Sequence, residues 1–121
     1  MSPEHLSLIE DLTTCYYSIL RHSPNLTRME VCRLIAKSSA PRFYVSPSYA
    51  RRIIRDITIG KPRATCSRAA EEHRELYLRW QLLDDKSPES LQQLLNSPAP
   101  SFYLSAHRIN KLLYKYYDRR K

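Results

Sequence analysis

Ser48, Arg51, Arg52 and Arg55 recur at intervals of three and four residues, the spacing that lines one face of a helix, with Ser46 just ahead of them. Three guanidinium groups within two turns make an array of planar donors suited to phosphate oxygens or guanine edges. Ser105, His107, Arg108, Lys111 and Lys115 repeat the pattern near the other end of the chain. A serine at the start of each set would cap a helix, and a helix N-terminus itself favours a phosphate. Arg42 stands just before the first set, placed to reach an adjacent phosphate or groove. These eleven residues are the candidate site, and its expected ligand is nucleic acid.

The residue types that catalysis needs are present but scattered. His5, His22, His73 and His107 are far apart, without an HExxH pair. Cys15, Cys32 and Cys66 form an odd set without a CxxC motif, so neither a metal centre nor a disulfide framework is expected. They read as buried, reduced thiols. Glu71, Glu72 and Glu75 share a helix with Arg68, Arg74 and Arg79 and read as surface ion pairs. The only glycine, Gly60, excludes a phosphate-cradling glycine loop. A tyrosine nucleophile flanked by arginines would need a longer chain to enclose it. The expectation is a protein without enzymatic activity or cofactor.

The two basic sets coincide because the chain nearly repeats itself. Ala40-Pro41-Arg42-Phe43-Tyr44-Val45-Ser46 returns 59 residues later as Ala99-Pro100-Ser101-Phe102-Tyr103-Leu104-Ser105. Arg52-Ile53-Ile54 matches Lys111-Leu112-Leu113, Glu30 matches Glu89 and Ser38 matches Ser97. A period of this length holds one supersecondary unit. The reading is all-α: two tandem pseudo-symmetric three-helix modules, residues 1–59 and 67–121, joined by a linker at 60–66 and sharing one compact domain. Charge follows the same plan. Residues 1–27 carry −2, 28–63 carry +7, 64–100 carry −2 and 101–121 carry +5, within a net +8.

Four of the helices have start signals, and the other two are read from apolar spacing. Leu8 or Ile9, Leu12, Tyr16, Ile19 and Leu20 predict a first helix over 5–21. Thr27-Arg28-Met29-Glu30 has capping-box form and predicts a helix over 28–38, with Val31, Leu34 and Ile35 inward. Ser46-Pro47 starts the third, placing Tyr49, Ala50, Ile53, Ile54 and Ile57 on its core side. The second copy gives a helix over 67–83 built on Leu76, Trp80 and Leu83, and a short one after Ser87-Pro88 with Leu91, Leu94 and Leu95. A last helix follows Ser105, with Ile109, Leu112, Leu113 and Tyr116 inward. Phe43 and Phe102 are expected to be buried. The Phe-Tyr segments are extended and could pair as a minimal two-stranded ribbon.

A short helix, a connector and a basic second helix resemble the helix-turn-helix superfamily in layout, which implies a second helix in the major groove of duplex DNA. The connector of residues 39–45 is longer than the usual three or four residues and carries a proline. The string Ala-Pro-Arg-Phe-Tyr-Val-Ser-x-x-x-Ala from Ala40 to Ala50 is similar to a motif in small proteins of Bacteroidales genomes, their phages and mobile elements. That resemblance implies a mobile-element setting and adds no catalytic residue. Two further readings stay open: RNA as the polyanion, and an adaptor or minor phage structural or regulatory protein that contacts another protein. No segment approaches the roughly 18 apolar residues of a membrane span, and Met1-Ser2-Pro3-Glu4 lacks the basic start of a secretory signal, so no membrane partner and a cytoplasmic setting are expected.

Overall fold

The structure, a computed structural model, describes residues 2–62 and 66–120, with side chains described as far as Lys115. It is all-α, with α1 at Pro3–His22, α2 at Arg28–Ala36, α3 at Pro47–Thr58, α4 at Ser67–Gln81, α5 at Pro88–Leu95 and α6 at Ala106–Arg120. The start signals work as read. Thr27 Oγ1 accepts from the Glu30 amide at 3.2 Å while the Glu30 carboxylate reaches back to the Thr27 amide. Ser46 and Ser87 each cap a helix that carries proline in its first turn. Ser2, which the sequence reading did not single out, does the same for α1, which starts two residues before the expected 5. α2 stops two residues short of the expected end, because Lys37 and Ser38 close it with tighter bonds to Leu34 and Ile35. Tyr116 and the basic C-terminal residues lie outside the described side chains, and residues 63–65 of the expected linker outside the described backbone.

The compact units do not follow the repeat boundaries. One unit comprises residues 1–44 and 98–121, and the other Val45–Ser97. In the first, α1 and α2 pack on each other and on α6; in the second, α4 and α5 pack on each other and on α3. Each unit therefore takes two helices from one repeat and its third from the other. The two members of the expected helix-connector-helix pair, α2 and α3, accordingly fall in different units. The partner that completes α2 is α6, and the partner that completes α5 is α3.

The first unit buries Leu12 of α1, Val31, Cys32 and Ile35 of α2, and Ile109 and Leu113 of α6, together with Phe43 and Phe102. Leu34, expected inward, is 45% exposed because Cys32 takes the inward position instead. The second unit buries Ala50, Ile53 and Ile54 of α3, His73 and Leu76 of α4, and Leu91, Leu94 and Leu95 of α5. Tyr49 is 39% exposed rather than core, its ring edge-on to His73. Trp80 and Leu83 are only half-buried, and Trp80 carries the Lys86 ammonium 5.7 Å from its ring centre.

The extended segments pair at one point, within the first unit. Ala40 and Ala99 exchange both backbone hydrogen bonds, at 2.9 and 2.8 Å, as an isolated antiparallel bridge. These are equivalent residues of the two repeats, so the contact is locally twofold. It sits three residues before the Phe-Tyr pairs, and among the described residues no ladder extends through them. Beyond it the copies diverge. Tyr103 adopts φ 58, a left-handed conformation that bulky side chains seldom occupy, and its amide donates to Ser101 Oγ at 2.9 Å.

The first helices of the two repeats are related by a different offset from the rest. Over residues 8–19 and 72–83, each position of α1 and its counterpart in α4 and the turn after it are alike buried, half-buried or exposed, at a spacing of 64 rather than 59. Ile9 answers His73, Leu12 answers Leu76, Asp11 answers Glu75, Cys15 answers Arg79 and Tyr16 answers Trp80. The five-residue difference is absorbed by α4 itself, which ends at Gln81, five positions before the counterpart of His22.

Candidate nucleic-acid interface

α3 is positioned by Ala50, Ile53 and Ile54, which face the core of the second unit. The opposite face carries Ser48, Arg51, Arg52 and Arg55, all exposed. At 1.5 Å per residue these four side chains span about 10 Å of helix. Arg55 lies 3.7 Å from Asp56, and its side chain stays 69% exposed. Among the described residues Arg51 and Arg52 have no carboxylate within ion-pair distance. Ser46 acts as the N-cap, its Oγ accepting from the Tyr49 amide at 3.2 Å, with the Ser48 hydroxyl 3.4 Å away.

α6 is built the same way in the first unit. Ile109, Leu112 and Leu113 are buried, while His107, Arg108, Lys111 and Lys115 are exposed. Ser105 Oγ accepts from the Arg108 amide at 3.1 Å, the capping role of Ser46 repeated. Asn110, which stands where the other copy has Arg51, is structural: its Oδ1 accepts from Arg28 Nε at 2.5 Å. The Arg28 guanidinium also lies 6.0 Å from the Tyr16 ring centre and 5.7 Å from that of Tyr114, tying α2 to α1 and α6.

Arg42 departs from the expected free cation. Its Nε is 3.2 Å from Asp11 Oδ2, and Tyr44 donates its hydroxyl to the same oxygen at 2.7 Å. Tyr44 also stacks on Phe102, with ring centres 5.9 Å apart and planes 8° from parallel. Burial, helped by the Asp11 hydrogen bond and charge, pushes the Tyr44 hydroxyl above its ordinary range, and its ring is already stacked on Phe102. The Arg-Phe-Tyr stretch of the first copy thus anchors the connector to α1.

The thiols and acids also differ from their expected places. Cys32 is buried, Cys15 half-buried and Cys66 exposed. Burial raises the Cys15 and Cys32 thiols, with Arg28 partly opposing the shift at Cys32. Glu75 pairs with Arg79 at 2.8 Å, as expected of a helix-surface pair. Glu72 does not belong with it: burial pushes its carboxyl up to about 7. Among the described residues no cluster of three His, Cys, Asp or Glu could hold a metal ion, and no helix is long and apolar enough to cross a membrane. Compared with protein-family models, curated proteins and solved structures, the chain matches none.

Proposed function

We propose that the protein binds nucleic acid, duplex DNA ahead of RNA, through the exposed cationic faces of α3 and α6. One observation supports this reading above the others: on each helix the basic residues of the repeat are turned outward, and Arg51, Arg52, Arg108, Lys111 and Lys115 have no carboxylate partner among the described residues. Unneutralised cations on a rigid helix attract a polyanion at little ordering cost. Arg42 is removed from the binding set by its ion pair with Asp11. Ser46 and Ser105 contribute by holding the helix N-termini in shape. A protein partner is the second reading, favoured by Leu78 and Leu82, one turn apart on and just after α4 and 51% and 83% exposed.

Titration of a random duplex at several ionic strengths tests the first reading. With about five phosphates neutralised, log affinity should fall against log salt with a slope near −4 to −5. Replacing Arg51, Arg52 and Arg55 together by Ala should reduce that slope by about 2 to 3 and leave thermal stability nearly unchanged, since exposed substitutions rarely exceed about 0.5 kcal/mol. A slope near zero for the wild-type protein would transfer the argument to the protein partner. Competition among duplex, single strand and structured RNA separates the nucleic-acid classes.

A further inference from the structure

The first unit contains an open pocket of about 430 Å³ between α1 and the segment that follows α2. Asp11, Cys15 and Ser18 line it from α1, and Ser38, Pro41 and Phe102 from the opposite side. The second unit carries the equivalent side chains, and there the place is taken. Arg79 stands where the first unit has Cys15. Its Nε donates to Glu75, the counterpart of Asp11, at 2.8 Å, and its NH1 to Ser97 Oγ, the counterpart of Ser38, at 3.2 Å. The two serines are matched in their other bond as well: each closes its preceding helix by donating to a carbonyl, Ser38 to Leu34 and Ser97 to Leu94. Both hydroxyl oxygens are thereby oriented to accept. Among the described residues, Ser97 receives a donor, from Arg79, and Ser38 does not.

We infer that the pocket of the first unit is a binding site for a guanidinium group supplied from outside the chain, seated between Asp11 and Ser38 as Arg79 is seated between Glu75 and Ser97. The chemistry fits the space. Cys15 is too short to bridge the two acceptors, which leaves room for a planar cation. Arg42 and Tyr44 both approach Asp11 through Oδ2, and a carboxylate has acceptor capacity to spare at its second oxygen. Ile19, Pro41 and Phe102 supply apolar walls for the methylene stem of an arginine. Arg42 already shares the carboxylate charge, so the site is a weak and selective one. It is independent of the cationic faces of α3 and α6.

The test uses the full-length protein, with L-argininamide and the blocked tripeptide acetyl-Gly-Arg-Gly-amide as probes and L-lysinamide as control, followed by chemical shifts of residues 11–19 and by melting temperature. Saturable shifts with argininamide, weaker with lysinamide, are expected. Binding of the tripeptide would identify a polypeptide side chain as the source; binding of argininamide without the tripeptide would identify a small free ligand. Cys15→Arg should fill the pocket from within, raise the melting temperature and abolish probe binding. Asp11→Asn, which keeps an acceptor for Tyr44, should weaken binding about tenfold. The inference is overturned if argininamide gives no saturable shift, or if Cys15→Arg binds it as the wild type does.

Discussion

Cutting the chain between α3 and α4 should give two fragments, residues 1–62 and 63–121, that fold together and not apart. Each alone lacks a helix that its unit requires. The N-terminal fragment has α1 and α2 without α6, and also a lone α3; the C-terminal fragment has α4 and α5 without α3. Isolated helices of this length are marginal in water, because helix nucleation is costly and their stability comes from packing an apolar face. α6 would expose Ile109, Leu112 and Leu113, and α3 would expose Ala50, Ile53 and Ile54. Circular dichroism should show little helix in either fragment separately. An equimolar mixture should recover the helicity and cooperative melting of the intact chain. Modules confined to 1–59 and 67–121 would instead fold independently, and mixing would add nothing.

Glu72→Gln should stabilise the protein increasingly as pH rises. The wild-type carboxyl has a folded-state value of about 7 against an ordinary 4.5, because burial disfavours its charge. A raised carboxyl binds a proton more tightly when folded, so stability from this residue is fully present below about pH 4.5 and is lost as pH climbs through 7. The difference amounts to roughly 2–3 kcal/mol above pH 8, a large part of the stability of a domain this size. Glutamine keeps the shape and removes the ionisation. The melting temperatures of the two proteins should nearly coincide at pH 4.5 and separate by several degrees at pH 8. A gap that is constant with pH would mean that Glu72 reaches water in the folded state.

The helices were legible in the sequence because their starts are local chemistry. Thr27 with Glu30, Ser46 with Pro47 and Ser87 with Pro88 announce themselves within four residues. The outward turn of Arg51, Arg52 and Arg55 was legible too, since Ala50, Ile53 and Ile54 had to face inward. The exchange of third helices was not. Periodicity states which face of a helix is apolar, not which neighbour covers it. Nor was the Cys15–Arg79 equivalence legible, because α1 and α4 follow a spacing of 64 and the residues they exchange, Ile9 for His73 and Leu8 for Glu72, share no chemistry. Arg42 looked like a binding residue because its partner, Asp11, is 31 positions away and belongs to no motif with it.

The reciprocal loan of α3 and α6 ties the fate of each half of the gene product to the other. Arg51, Arg52 and Arg55 lie in the first repeat, yet the helix that carries them packs on α4 and α5 of the second, which bury Leu76, Leu91 and Leu95. A lesion in the core of α4 or α5 would register as a misplaced guanidinium well upstream in the chain. The support of α3 therefore lies in residues that follow it in the chain, on α4 and α5.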